Sequence, residues 1–233
     1  MAKHLQHELD TLQKRLLSLA SIVEEQLMAA VRCVEKKDAV AAQRIIDFDR
    51  NVDLLEIEVE EECLKLLALH QPVAIDLRFI IAVLKINNDL ERIGDLAGNV
   101  AERALALATT PSFTFTSKLP LMCEKAVTML RLSLDSLFRM DVARAKNVCE
   151  ADVEVDDLYR DMIGIVRDGI VATTERVDEF LLIMSVARHL ERIADHATNI
   201  AEDVIYMIEG DIVRHSEARM FSGEGEIRPG DGS

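Results

Sequence analysis

The sequence predicts an all-α protein made of two tandem, duplicated three-helix bundles, six helices in all. Three observations carry this. Aromatic residues are only 4% of the chain and Trp is absent, while Ala, Leu, Ile, Val, Glu and Arg dominate, a mixture that favours helix over sheet. Apolar residues recur at helical spacing, as in Leu90, Ile93, Ala97 and Val100, which marks one face of a helix. The segment LERIGDLAGNVAE, starting at Leu90, returns as LERIADHATNIAE at Leu190, 100 residues later.

The elements follow in order. A first helix is expected over residues 6–34, and Asp38 is placed to cap a second that continues to about Leu69, since a short acidic side chain can accept from the free amides of a first turn. Gln71-Pro72 breaks the chain, with Pro72 opening a third helix that ends near Ala108. Residues 109–118 form a linker rich in Thr, Ser and Pro. In the second half Pro120 opens one helix, Asp141 caps the next, and the last runs from Val177 to Glu209, with Gly210 suited to the position just past its end. Lys36-Lys37-Asp38 matches Arg139-Met140-Asp141 at an offset of 103, and that offset also superposes Asp49 on Asp152, Val52 on Val155 and Asp53 on Asp156. The first bundle thus spans residues 1–108 and the second 119–212, with a polar tail over 213–233 that is expected to be disordered.

Composition narrows the function. A net charge of −15 disfavours a sequence-independent grip on nucleic acid, which depends on Lys and Arg neutralising phosphates, and suits cations or basic partners. The start, MAKHLQHELD, turns polar at once, and the longest uncharged apolar run, Phe180 to Ala187, is far too short for a membrane span. A soluble cytoplasmic protein is expected, reaching a membrane only through partners. Cys33, Cys63, Cys123 and Cys149 form no CxxC pair and read as buried small hydrophobes.

The chemistry concentrates in a repeated polar tetrad: Glu91, Asp95, Asn99 and Glu102, then Glu191, Asp195, Asn199 and Glu202. Each set shares a stripe of its helix that carries acids and no base. A solvated charged face is the ordinary explanation, but such faces usually mix signs, because like charges one turn apart repel. Packing accounts for repeated apolar positions; it does not account for four repeated polar ones. Hard cations such as Mg²⁺, Ca²⁺, Mn²⁺ or iron need clustered oxygen donors, and carboxylates one turn apart supply them. Small residues, Gly94 and Gly98 against Ala194 and Thr198, border the stripes and leave room for a helix or ligand.

Asp49 and Asp53, with Asp152 and Asp156, could face the tetrads across a helical hairpin as further ligands, or could be surface charge. Glu56 and Glu60 extend the first set but are not repeated, so surface charge is expected of them. His189 and His196 have no counterparts at Asp89 and Leu96, and a shared site cannot depend on them. Arg92 and Arg192 could hold an anion beside a metal, though structural ion pairs are the preferred reading. Loops of the GxxxxGK[ST], GxGxxG and GxSxG types and HExxH are absent, and Gly94 and Ala194 replace the His of a ferritin-type ExxH. Catalysis is therefore not expected; a metal-dependent helical-bundle enzyme or a metal store is the alternative.

The stretch DLRFIIAVLKINNDLERIGDLAGNVAE, from Asp76, together with HLERIADHATNIAEDVIYMIEG, from His189, resembles the paired signature of the PhoU family of bacterial phosphate-transport accessory proteins. The resemblance implies a cytoplasmic negative regulator of the phosphate-starvation response that forms dimers. Its partners would be the ATPase subunit of a phosphate ABC transporter and a phosphate-sensing histidine kinase. It further implies metal, iron or manganese before magnesium, calcium or zinc, at ExxxD motifs that fall on Glu91 with Asp95 and Glu191 with Asp195. Asp49, Asp53, Asp152 and Asp156 match further acidic positions of the family.

Overall fold

A computed structural model describes residues 2–110 and 118–210. The expected tail and most of the linker lie outside these residues, as does the side chain of Asp49. Among the described residues every regular element is a helix: α1 (Ala2–Lys36), α2 (Ala39–His70), α3 (Ala74–Ala108), α4 (Lys118–Arg139), α5 (Val142–Ala172) and α6 (Val177–Glu209), with a short 3₁₀ turn, Thr174–Arg176, before α6.

Local chemistry fixes the ends. Asp38 accepts from the Ala41 amide at 2.9 Å and Asp141 from the Arg144 amide at 3.0 Å, satisfying amides that a helix start leaves unpaired. The residue before each cap is left-handed, Lys37 at φ 55° and Met140 at φ 52°. The cap amides then reach back to the preceding helix, Asp38 to the Cys33 carbonyl at 3.3 Å and Asp141 to that of Ser136 at 2.9 Å. The repeat read from three residues is thus a repeat of backbone conformation. Gly210 ends α6 at φ 82°, its amide donating to the Tyr206 carbonyl. Pro72 does not open α3: Val73 is the capping residue and the helix begins at Ala74.

Helices α1, α2 and α3 pack on one another, as do α4, α5 and α6, and the bundles join where α3 lies along α6 and α1 touches α4. Both predicted apolar stripes, Leu90, Ile93, Ala97 and Val100, and Leu190, Ile193, Ala197 and Ile200, are fully buried. All four cysteines are free; Cys33, Cys63 and Cys123 are buried and Cys149 is half-buried. Burial pushes the Cys63 and Cys123 thiols up to about 12.

The α3–α6 seam is antiparallel, as its polar contacts show. Lys85 donates to Asp203 at 3.1 Å near one end, and Arg103 to the Ser185 hydroxyl at 3.1 Å near the other. Between them, His196 Nδ1 lies 2.8 Å from Asp89 Oδ1, and Asn199 donates to the same oxygen at 3.3 Å. At the repeat offset of 100, Lys85 corresponds to Ser185 and Arg103 to Asp203. The two end pairs are therefore the same contact, made twice about a local two-fold axis with different residues.

Candidate metal centre

In the first bundle α2 and α3 bring acids together. Asp53, Glu91 and Asp95 each place a carboxylate oxygen within 4.8 Å of the others, a span that one cation can bridge. Gly94 permits this approach: a Cβ built there would stand 3.0 Å from Val52 Cγ1, the residue beside Asp53. Asp49 lies one turn before Asp53 on α2.

Electrostatics marks the cluster as short of positive charge. Burial first, then Asp95, Glu56 and Asp53, raise the Glu91 pKa against the opposing effect of Arg92. Arg92 lies 3.3 Å from Glu91 and 3.5 Å from Asp95, so here it is the structural ion pair expected from the sequence. Glu56 departs from expectation. It is half-buried, and Asn87, itself 1% exposed, donates to both its carboxylate and its backbone carbonyl at 3.0 Å. Glu60 is exposed.

In the second bundle the matching acids also act on one another. Asp152 is raised to about 6 by burial, Asp195 and Asp156; Asp195 is raised to about 6 by burial, Glu191 and Asp156. Glu191 is raised by burial and by Asp156 and Asp152. Among the described residues no three of these carboxylates come within the distance seen in the first bundle. The repeat suggests why: Ala194 puts a methyl where Gly94 has none, with Val155 in the place of Val52. Asp152 Oδ1 and Thr198 Oγ1 are buried without a well-formed hydrogen bond among the described residues, although the Thr198 hydroxyl is near enough to the carboxylate to oppose part of its rise. A buried carboxylate oxygen with only a poorly placed donor is costly, and a cation among the four acids would satisfy it. The donor sets, carboxylates with a hydroxyl nearby, fit a hard oxygen-seeking cation in both halves.

The outer tetrad members divide. Glu202 contributes to raising Asp152 and so lies in the field of the second cluster. Glu102 is exposed and sits 3.3 Å from Arg103. Asn199 is held at the α3–α6 seam by Asp89, and Asn99 is half-buried. Sequence reasoning missed Asp89, Asp203 and the role of His196, which join the bundles. It also missed Gln26 on α1, 6% exposed, whose amide atoms have no partner among the described residues. One signal existed, since Met129 occupies the equivalent place in the second half.

Comparisons with known proteins agree with this architecture. A model of the PhoU domain matches twice, over residues 16–104 and 119–204. The phosphate-specific transport system accessory protein PhoU homolog of Aquifex aeolicus is 37% identical over 212 residues, covering 91% of this chain and 96% of its own. The phosphate-specific transport system accessory protein PhoU of Escherichia coli is 29% identical over 208 residues, 89% of this chain and 86% of its own. The crystal structure of PhoU from Pseudomonas aeruginosa superposes with a TM-score of 0.86 at 34% identity, covering 88% of this chain and 99% of that one. The phosphate transport system regulatory protein PhoU from Streptococcus pneumoniae gives 0.83 at 28% identity, covering 90% and 99%.

Proposed function

The chain belongs to the PhoU family, and on that premise we propose that it is a regulatory adaptor of phosphate uptake, acting by binding rather than by turnover. The observation that carries this is the double match to the PhoU domain across both bundles, supported by relatives named as accessory and regulatory proteins. No described helix is long and apolar enough to cross a membrane. The adaptor works in the cytoplasm, as a dimer, and meets the membrane through the ATPase subunit of a phosphate transporter. A phosphate-sensing histidine kinase is its second partner, held inactive while phosphate is plentiful.

Metal belongs to this proposal. Asp53, Glu91 and Asp95, with Asp49, would hold one centre; Asp152, Asp156, Glu191 and Asp195 would hold the other. Iron or manganese is the favoured class. When bound, the ion supplies positive charge that offsets carboxylate repulsion and ties α2 to α3 and α5 to α6. Support comes from the 4.8 Å cluster and from the buried Asp152 oxygen, which lacks a well-formed hydrogen bond among the described residues.

Two experiments test the proposal. Elemental analysis of protein purified without chelator is expected to find iron or manganese in the wild type and little in the variant with Glu91, Asp95, Glu191 and Asp195 all changed to Ala. Equal metal content in the two would remove the metal assignment. Co-purification with the kinase and the transporter ATPase, from phosphate-replete and starved cells, is expected to show contact in at least one condition; contact with neither would remove the adaptor reading.

A further inference from the structure

The two ends of the α3–α6 seam occupy equivalent places in the repeat but differ in charge. At one end the acids Asp203 and Asp89 are matched by Lys85, His196 and Asn199. At the other, the equivalents of Asp203 and Asp89 are Arg103 and His189, and the equivalent of Lys85 is Ser185. Bases have replaced the acids, and the one acid that Arg103 meets is its exposed chain neighbour Glu102, at 3.3 Å. Arg188 and Arg192, one turn apart on α6, add two more cations on the same side of the helix as Ser185 and His189.

The side chains there are linked. Arg103 donates to Ser185 Oγ at 3.1 Å, and Ser185 Oγ lies 3.2 Å from His189 Nε2. With the Ser185 lone pairs facing Arg103, its proton points to Nε2, which leaves the imidazole proton on Nδ1. That atom is buried and has no partner among the described residues. Arg103 also donates to Glu102 at 3.3 Å, but donors still outnumber acceptors here and the buried Nδ1 has none. Arg103, Arg192 and Arg188 all act on His189, with Glu102 opposing them.

Nor are the outer arginines used up in ion pairs. Arg92 contacts Glu91 and Asp95, but among the described residues neither Arg188 nor Arg192 forms an ion pair within 4.0 Å, although Glu191 feels both and Asp195 feels Arg192. In a chain of net charge −15, three arginines close enough to act on one histidine are an unusual concentration of positive charge. Guanidinium forks match oxyanions in geometry as well as in charge.

We infer that the end of the α3–α6 seam carrying Arg103, Arg188 and Arg192 binds a tetrahedral oxyanion of the phosphate class, which stands in for the carboxylates that the opposite end supplies itself. The ion bridges α3 of one bundle to α6 of the other. The site adjoins the second carboxylate cluster, where Glu191 feels Arg188 and Arg192 and Asp195 feels Arg192, but it uses none of those carboxylates and does not depend on metal being bound there.

The test is calorimetric titration of inorganic phosphate into the full-length protein after chelator treatment and dialysis, in low-salt buffer. Saturable binding is expected. Arg188→Gln with Arg192→Gln should weaken it at least tenfold, while Arg167→Gln, an exposed arginine of α5 paired with Asp168, should leave it unchanged. Circular dichroism and melting of each variant confirm that the fold is kept. Competition with O-phosphoserine separates two sources of the same chemistry: displacement assigns the site to phosphate esters as well, and its failure assigns it to the free ion. Absence of saturable binding, equal affinity in the double variant, or binding that appears only after metal is restored would each overturn the inference. The last result would put the anion on the metal and leave the metal proposal standing.

Discussion

At the scale of single residues, the carboxyl group of Asp152 shows what the acidic faces cost. Its pKa near 6 lies above the ordinary aspartate value of 3.8 because burial, Asp195 and Asp156 disfavour its charge. The folded protein then holds a proton that the unfolded chain releases, so the metal-free protein gains stability as pH falls from 7.5 through about 6. Asp195, shifted alike, adds to the same trend, while His189, whose pKa is held down by burial and neighbouring arginines, offsets part of it. Thermal melts of chelated protein are expected to show a higher Tm at pH 5.5 than at pH 7.5. Asp152→Asn should raise stability at pH 7.5 by about 1 kcal/mol, the cost of keeping this carboxylate charged after a discount for solvent screening, and should flatten the pH dependence. A melting temperature that falls between pH 7.5 and 5.5 in chelated wild type, with no gain in the variant, would contradict this account.

Between helices, glycine sets the spacing. Gly94→Val would place its side chain against Val52, already 3.0 Å from the first carbon of any side chain there, and so move Asp53 away from Glu91 and Asp95. Metal content of the first centre should fall although every carboxylate remains, and elemental analysis beside Gly98→Ala measures it; undiminished metal in Gly94→Val would show that close packing of α2 on α3 is not needed. Gly169 plays the same part between α5 and α6, since a Cβ there would come within 2.4 Å of the Phe180 ring. Gly169→Ala is expected to cost about 1–3 kcal/mol of overpacking in a denaturant titration, and a neutral result would mean that Phe180 turns away freely. These contacts also show the reach of the sequence. The caps at Asp38 and Asp141, the end at Gly210 and both buried stripes were legible, because a cap or a periodic face is encoded within a few neighbouring residues. Asp203 was not, because its partner Lys85 lies 118 residues away and one acid on a helix carries no mark of what it will meet. Asn199 fell into the tetrad by spacing alone, while its partner Asp89 belongs to the other bundle. Glu56 looked like surface because nothing in the local pattern points to Asn87.

For the whole molecule, metal and protons should compete. A cation that binds only the folded protein raises the melting temperature by mass action, and its carboxylate ligands must first lose their protons. Added Mn²⁺ is expected to raise the Tm by several degrees at pH 7.5 and by clearly less at pH 5.5, below the value near 6 shared by Asp152 and Asp195. A shift of equal size at both pH values would indicate ligands other than these acids. The local two-fold axis through the α3–α6 seam has a deeper consequence. Two separate copies of one half, joined through such a seam, would form an isologous contact in which every substitution is written twice. Residues 85 and 185 would then be identical, as would 103 and 203, and no charge could be placed at one end alone. One continuous chain removes that constraint. Lys85 with Asp203 and Ser185 with Arg103 are what symmetry would forbid, and by covalent joining of its halves the protein gained a direction along its own dimer-like axis.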